Sequence, residues 1–286
     1  QSFPVSESSA VGDLVGLFLA SDIDGDALNF TITSGNEAGI FAIGQNNGEI
    51  RIADPEQLDF ETVKSYELGI SVSDGRGGTV SDVVEINVID ANEAPNFTSP
   101  DVYAIDENSL VGTVVGNVVA TDVDSPVGDL RFSIAGGTGA SAFAIDEISG
   151  EITVIDNALL DRETRANLTL QIEVNDNGSP AQAATQQITI NLNGVNESPP
   201  IFLTPNTASI NENLTVAQVL LASDPDAQGD TITFAVTGGA DSMLFDVVGN
   251  NLVFRNAPDF ENPIDMGGVA GDNDYVVEVT ASDNNG

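Results

Sequence analysis

The residues of this chain that could do chemistry are carboxylates that occur in closely spaced pairs. Side chains at positions i and i+2 of an extended segment point to the same side, so each pair could face one ion. Bare carboxylates about 4 Å apart repel each other by roughly 4 kcal/mol at an effective dielectric near 20, so such clusters favour a cation. Calcium suits them, because it takes about six to eight oxygen ligands in loose geometry, whereas magnesium requires a stricter octahedron. The pairs are Asp22/Asp24, Asp122/Asp124, Asp224/Asp226, Asp59/Glu61, Asp161/Glu163 and Asp259/Glu261.

The amino-acid composition excludes most other chemistries. The chain has 45 Asp and Glu against 7 Lys and Arg, and this net charge of -38 excludes nucleic acid and anionic membrane surfaces as natural partners. Since Cys and His are absent, there is no disulfide, no thiolate or imidazole metal site and no Cys or His catalyst. No apolar run is long enough to span a membrane, so direct membrane contact is not expected. A merely solvated acidic surface remains the alternative to metal binding, and the positions of the acids must decide.

One unit occurs three times along the chain. Five markers recur in the same order at a spacing close to 102 residues, which chance does not explain. We predict three domains, 1–92, 93–196 and 197–286, the first with a truncated N-terminal strand and the third without its last strand, as in a slice of a longer protein. Besides the two kinds of acidic pair, the markers are Phe41-Ala42-Ile43 with Phe143-Ala144-Ile145 and Phe245-Asp246-Val247, Gly48-Glu49-Ile50 with Gly150-Glu151-Ile152, and Asp74 with Asp176 and Asp283.

The elements that must position these acids are strands. Apolar and polar residues alternate with a period of two, as at Leu68, Ile70 and Val72, which is typical of half-buried strands. Asn47-Gly48 predicts a hairpin turn, because both residues tolerate positive φ. Helical periodicity is missing, and turn signals recur roughly every ten residues. These features predict an all-β fold of three tandem Greek-key β-sandwiches. The absence of Cys and Trp excludes a true immunoglobulin domain.

The combination of motifs resembles the cadherin repeat family, in its bacterial cadherin-like form. The resemblance covers nearly the whole chain and implies immunoglobulin-like sandwiches in an extended array, with about three calcium ions at each complete joint between repeats. It is carried by the Asp-x-Asp turns, by Leu58-Asp59-Phe60-Glu61 and Leu160-Asp161-Arg162-Glu163, and by the Pro-containing linkers 90–97 and 194–202.

The resemblance also implies which residues hold the ions. At the first joint these are Glu7, Asp59, Glu61, Asp90, Asn92, Glu93, Asp122, Asp124 and Asp176, with a backbone carbonyl at Ala91. At the second joint they are Glu107, Asp161, Glu163, Asn196, Glu197, Asp224, Asp226 and Asp283, with a backbone carbonyl at Val195. Gly194 stands where a linker Asp is expected, so the second joint should hold fewer ions or bind them more weakly. Half-sites of further joints are expected at Asp22, Asp24 and Asp74 and at Glu212, Asp259 and Glu261.

The leading hypothesis is a calcium-binding extracellular or cell-surface array, from a membrane-anchored parent, that stiffens on calcium binding. By family analogy it mediates adhesion, homophilic or to another surface protein. The alternative is a spacer module that binds carbohydrate or matrix, with polysaccharide as the partner. We do not expect an enzyme, because a glycosidase needs one unique carboxylate pair and here the pairs repeat. An EF-hand loop starting at Asp22 is excluded, since Ala27 and Thr33 replace its required Gly and Glu.

Overall fold

The computed structural model describes residues 1–226 and 231–283, and these residues form strands joined by turns, with short 3-10 segments at Val127–Asp129, Asn157–Leu159 and Ser242–Leu244. None of the described segments is a helix that could cross a membrane. The strands are, in chain order, β1 (Ser2–Ser6), β2 (Leu14–Leu17), β3 (Asn29–Ser34), β4 (Phe41–Ile43), β5 (Glu49–Ile52), β6 (Ser65–Ser73), β7 (Thr79–Ile89), β8 (Asn96–Phe97), β9 (Val102–Asp106), β10 (Val114–Asn117), β11 (Ala120–Thr121), β12 (Arg131–Gly136), β13 (Phe143–Ile145), β14 (Glu151–Val154), β15 (Asn167–Asn175), β16 (Ala183–Asn193), β17 (Ile201–Phe202), β18 (Val216–Val219), β19 (Ala222–Ser223), β20 (Thr233–Gly238), β21 (Phe245–Val248), β22 (Asn251–Phe254) and β23 (Glu278–Ser282).

The first predicted repeat consists of two sheets around one apolar core. One sheet has the order β1-β7-β6-β3, in which β1 is parallel to β7 and the other pairs are antiparallel, and the second has the order β2-β5-β4. The alternation in β6 places Leu68 and Ile70 in the core without exposed surface, and Ile50 of the other sheet is equally buried. Burying each of these side chains contributes about 1.5–3 kcal/mol. The predicted all-β sandwich fold is therefore confirmed.

The turn between β4 and β5 has a glycine because no other residue fits. Ile43 pairs with Ile50, so the turn spans residues 44–48, and Gly48 closes it with φ of 67°. A Cβ at Gly48 would lie 2.4 Å from the carbonyl oxygen of Phe18, closer than any side chain tolerates. The predicted hairpin is confirmed, and Gly150 repeats it in the next repeat with φ of 70°.

The second predicted repeat has the same plan as the first, and the third differs in one sheet. In the second, the sheets are β12-β15-β16-β9, with β16 parallel to β9, and β10-β14-β13. In the third, the sheet β18-β22-β21 matches, but the other sheet contains β20 and β23 alone among the described residues. The last two residues of each linker form β8 and β17, which pair with β11 and β19 as two-stranded sheets.

The chain divides into two compact units. The first contains Gln1–Thr98, Ala120–Arg131 and Val174–Ala184, and the second contains Ser99–Val119, Phe132–Glu173 and the residues from Thr185 onward. All residues of the first joint lie within the first unit, and all residues of the second joint lie within the second. The boundaries 1–92, 93–196 and 197–286 stay a prediction, and parts of the last range, 227–230 and 284–286, lie outside the described residues.

Candidate metal centres

Each Asp-x-Asp turn folds around its first aspartate. In the first unit, Asp122 Oδ1 accepts hydrogen bonds from the backbone N–H of Asp124 at 2.9 Å and of Ser125 at 2.7 Å. In the second unit, Asp224 Oδ1 accepts from Asp226 N at 3.0 Å. This is ordinary turn chemistry for aspartate, and it uses one oxygen. The other oxygen, Oδ2 of Asp122 and of Asp224, is buried without a hydrogen-bond partner among the described residues.

The second aspartate of each turn binds the linker. Asp124 Oδ2 accepts from Glu93 N at 2.7 Å, and Asp226 Oδ2 accepts from Glu197 N at 2.8 Å. In both residues Oδ1 is buried, and no described group donates a hydrogen bond to it. A buried carboxylate oxygen without a donor or cation is costly, so each turn presents two oxygens that lack the partner they need.

In the first two repeats, a glutamate directly after the first strand ties the Asp-x-Glu loop to the linker. Glu7 accepts from Phe60 N at 2.5 Å with Oε2 and from Ala91 N at 2.7 Å with Oε1. Glu107 makes the same two bonds in the second unit, to Arg162 N and Val195 N, both at 2.7 Å. The backbone at Ala91 and Val195 is thus held next to these carboxylates.

The linker asparagines bind the late aspartate of the loop that follows β15 or β23. Asn92 Nδ2 donates to Asp176 Oδ2 at 2.6 Å and to the Pro180 carbonyl at 3.1 Å. Asn196 Nδ2 donates to Asp283 Oδ2 at 3.0 Å, and Asn196 Oδ1 is buried without a partner among the described residues. Because each amide nitrogen points at a carboxylate, its carbonyl oxygen becomes a candidate ligand for a cation.

Carboxylate oxygens of the first joint converge in two overlapping trios. One oxygen each from Glu7, Asp59 and Glu61 lie within 4.8 Å of one another, and the same holds for Glu61, Asp90 and Asp124. Glu61 belongs to both trios, so the carboxylates form a continuous row. The structure therefore brings together acids of four separate chain segments that the family resemblance assigned to one joint.

Crowding of these acids perturbs their ionisation. Burial raises the pKa of Glu93 to about 8, aided by the adjacent carboxylate of Asp124 and by other neighbouring negative charges. Burial is also the main cause that raises the pKa of Glu61 and of Asp90, with the charge of Asp124 adding to it. The first joint consequently resists full ionisation unless a cation balances its charge.

The second joint repeats this arrangement with one substitution. Its trios are Glu107, Asp161 and Glu163, and Glu163, Glu197 and Asp226. Glu197 stands in the second trio where the first joint has Asp90, because Gly194 at the equivalent position has no side chain. Burial raises the pKa of Glu163 and of Glu197, and nearby Glu107 adds to both shifts.

The predicted half-sites differ in how far the structure assembles them. Oxygens of Glu212, Asp259 and Glu261 lie within 4.8 Å of one another, and all three side chains are exposed. At the other end, Asp22 Oδ1 accepts from Asp24 N at 2.9 Å, as the other turns do. Asp74 Oδ1 accepts from Arg76 N at 2.7 Å and Gly78 N at 3.0 Å, and Arg76 joins this loop to the turn through an ion pair with Asp26 at 3.0 Å.

Sequence reasoning missed two kinds of supporting residue. Thr62 donates its hydroxyl to Asp59 Oδ2 at 2.8 Å and, with its backbone N–H, holds the pKa of Asp59 below its usual value. Thr164 does the same for Asp161 at 2.7 Å, and the 102-residue spacing of the two threonines was a usable signal. Asn108 donates to the Glu197 carboxylate from a backbone with φ of 56°, and no pattern in the sequence indicates that contact.

The donor set fits a hard cation. The ligands offered are carboxylate, amide and backbone oxygens, without nitrogen or sulfur donors, as calcium prefers. The buried oxygens without partners point to the same conclusion, because a divalent ion would satisfy several of them together. No reacting pair of nucleophile and base is needed to explain this geometry.

Comparison with known proteins gives one consistent result. The Cadherin domain family model matches residues 1–89 and 101–193. Protocadherin Fat 1 of Homo sapiens is 35% identical over 257 residues, which is 85% of this chain and 6% of that protein. The protocadherin-like wing polarity protein stan of Drosophila melanogaster is 35% identical over 235 residues, 78% of this chain and 6% of that protein. The chain therefore spans a small part of these relatives.

Solved structures agree with this match. The extracellular cadherin domains 3-6 of protocadherin gamma B2 superpose with a TM-score of 0.57 at 25% identity, covering 91% of this chain and 64% of that one. Mouse cadherin-23 EC22-24 gives a TM-score of 0.55 at 23% identity, covering 91% of this chain and 86% of that one. The second likeness supports the fold alone.

Proposed function

The chain belongs to the cadherin family, and from that premise we propose that its two joints bind calcium and that bound calcium stiffens them. Cadherin domains bind calcium at the joints between repeats. The observation that carries the proposal for this chain is the set of buried oxygens that lack hydrogen-bond partners, at Asp122, Asp124 and Glu93 in the first joint and at Asp224 and Asp226 in the second.

Calcium stiffens a joint by replacing repulsion with shared coordination. Glu61, Asp90 and Asp124 come from three different segments of the first unit, and without a cation their charges drive these segments apart. An ion that binds all three removes this repulsion and fixes the linker between them. Extracellular modules of this kind bind calcium with dissociation constants of roughly 10⁻⁴ to 10⁻³ M, which suits the calcium level outside cells.

The second joint is proposed to bind calcium more weakly or to hold fewer ions than the first. Gly194 removes one carboxylate, and Glu197 reaches the trio in place of Asp90. Glu197 therefore takes the place of Asp90 in the trio. Its own counterpart in the first joint, Glu93, is not part of the equivalent trio. We propose that the first joint holds about three calcium ions and that the second holds fewer ions or binds them with lower affinity.

Adhesion is the proposed role of the array. Relatives of this chain are cadherins and protocadherins, which are adhesion proteins and not enzymes, and the chain is extracellular or lies at the cell surface. Homophilic contact with copies of itself is proposed first, and another surface protein is the alternative partner. Beads coated with the chain should aggregate in millimolar calcium and disperse in chelator, whereas aggregation that ignores calcium would contradict this role.

Calcium binding is tested with the full chain and a matched pair of variants. Asp124→Asn removes a charge from the first joint, and Asp146→Asn removes a charge from an aspartate that accepts from Ile148 N and Ser149 N outside both joints. Isothermal titration calorimetry should show fewer or weaker ions for Asp124→Asn and unchanged binding for Asp146→Asn. Equal effects of the two variants, or no binding at millimolar calcium, would overturn the proposal.

A further inference from the structure

Glu197 occupies a different place in the second joint from that of its counterpart Glu93 in the first. One trio of the second joint groups Glu197 with Glu163 and Asp226. The equivalent trio of the first joint contains Asp90, and Glu93 lies outside it. A long glutamate side chain therefore does in one joint what a short linker aspartate does in the other. Such a side chain needs a contact that keeps it there.

That contact comes from Asn108, whose side-chain Nδ2 donates to Glu197 Oε2. In the first repeat, Ser8 stands at the position of Asn108, directly after the first strand and its glutamate. The hydroxyl of Ser8 is hydrogen-bonded to that of Ser6 at 2.8 Å, and no described hydrogen bond joins it to Glu93. The joint that uses its linker glutamate in the trio is thus the joint that has an amide donor beside it.

The backbone of Asn108 is itself held in place. Its N–H donates to the Leu160 carbonyl at 3.0 Å, directly before Asp161 of the Asp-x-Glu loop. Its φ of 56° lies in the left-handed region, which asparagine tolerates better than most residues do. Because Glu107 precedes it, Asn108 lies between two groups of proposed calcium ligands. Its side-chain amide therefore extends from a fixed backbone.

Glu197 is restrained at its backbone and at its carboxylate. Its N–H donates to Asp226 Oδ2 at 2.8 Å, and its carboxylate accepts from Asn108. The negative charges of Glu107, Asp226 and Asp161 act on this carboxylate. In an exposed glutamate this repulsion, together with the rotamer entropy of a long side chain, favours a position turned toward solvent. A donated hydrogen bond from Asn108 opposes both effects.

We propose that Asn108 is a positioning residue that turns the Glu197 carboxylate into the place that Gly194 leaves without a side chain. This inference rests on the proposed binding of calcium at the second joint. The part of Asn108 is to orient a ligand, as outer hydrogen bonds do at many metal sites. The second joint thereby keeps a trio of carboxylates although its linker lacks the aspartate.

The competing explanation is that Asn108 only stabilises the turn after β9. Asn213 has a φ of 65° at the same place in the third repeat, and its N–H donates to the Pro258 carbonyl at 3.0 Å, much as Asn108 N donates to Leu160. A role in the turn alone would not depend on which residue stands at position 194. A role in positioning Glu197 would depend on it, and this difference is the basis of the test.

The test follows calcium titrations of the isotope-labelled full chain by NMR. The backbone amide of Val195 reports the second joint and that of Ala91 the first, because each donates to the glutamate of its joint. Asn108→Gly keeps the backbone conformation, since glycine adopts positive φ freely, and removes the amide donor. It should weaken the calcium binding seen at Val195 about tenfold and leave that seen at Ala91 unchanged. The matched variant Ser8→Gly should change neither.

The variant Gly194→Asp separates positioning from turn stabilisation. With an aspartate restored to the linker, Glu197 no longer has to fill its place, so Asn108→Gly should now weaken calcium binding by less than about twofold. An equal loss in the native and Gly194→Asp chains would show that Asn108 acts only on the turn. No loss in the native chain would show that Glu197 needs no positioning. Either result overturns the proposal.

A measurement in chelator distinguishes failure of this inference from failure of calcium binding. The side-chain amide resonance of Asn108 should move in the variant Glu197→Ala, whereas that of Asn117, which donates to the Ser149 carbonyl at 3.3 Å, should not. If the Asn108 resonance does not move, the contact is absent and this inference is overturned, whatever the chain does with calcium. If it moves but the native chain binds no calcium at millimolar concentration, the proposed function is overturned, and this inference with it.

Discussion

Calcium binding at the first joint should release a proton from Glu93. Burial raises the pKa of Glu93 from the ordinary 4.5 to about 8. At pH 7 this side chain is therefore protonated in about nine-tenths of the calcium-free molecules. A carboxylate must be ionised to bind calcium. Binding at pH 7 should therefore release about 0.9 proton from this residue, and at pH 9 about 0.1 proton.

The same proton sets the pH dependence of affinity. Below the pKa of about 8, the affinity for the ion that Glu93 binds should fall about tenfold for each pH unit. Without calcium, the free energy of unfolding should depend on pH in the opposite direction from that of an ordinary paired carboxylate, because folding disfavours the ionised form of Glu93. The calcium-free chain should lose stability as the pH rises from 4.5 to about 8, and calcium should abolish that loss.

Calorimetry measures the release directly. Calcium is titrated at pH 7 into the full chain in two buffers of different ionisation enthalpy, and the difference in heat gives the number of protons released. Glu93→Gln should reduce the release by about 0.9 proton, while Glu56→Gln, an exposed residue outside the joints, should not. If the release is the same for the native chain and Glu93→Gln, the assignment of this proton is refuted.

Three further predictions follow from contacts in the two units. Gly194→Asp should strengthen calcium binding at the second joint by about tenfold, since it restores one charge-assisted contact. Isothermal titration calorimetry on the full chain measures this change. Glu107→Ala should lower the free energy of unfolding in chelator by about 2–3 kcal/mol, because the N–H groups of Arg162 and Val195 lose their acceptor; urea denaturation tests this, and an effect below 0.5 kcal/mol, about the size of an ordinary surface change, would contradict it. Ile86→Ala should cost about 2–5 kcal/mol, since the side chain has no exposed surface, and a smaller shift in the urea midpoint at constant slope would show that the core collapses around the gap.

Two kinds of sequence pattern predict parts of this fold: motifs that recur at the repeat spacing, and the alternation of apolar and polar residues along strands. The strand Ser65–Ser73 follows the alternation of Leu68 and Ile70, and the hairpin at Gly48 follows its turn residues, because both signals are local. The grouping of Glu61 with Asp90 and Asp124 was available only through the family resemblance, since these residues are far apart in the chain and tertiary packing brings them together.

Other features of the structure have no local signal. The long loop before Tyr275 is held by Asp265, which accepts from Gly271 N at 2.8 Å and Asn273 N at 3.1 Å, and nothing in the spacing of its acids distinguishes this role from metal binding. The partial burial of Val277 and Val279 and the buried hydroxyl of Tyr275 likewise depend on how the third core packs.

Hydrogen-bond saturation separates structural acids from the acids that we propose as cation ligands in this chain. Asp241 and Asp265 are almost completely buried, yet both oxygens of each accept backbone N–H groups, so neither needs an ion. Asp122 and Asp124 use one oxygen in the same way and bury the other without a donor among the described residues. Burial alone therefore does not identify a ligand. An unmet acceptor within a cluster of carboxylates is the better guide, because a cation can satisfy several such oxygens together.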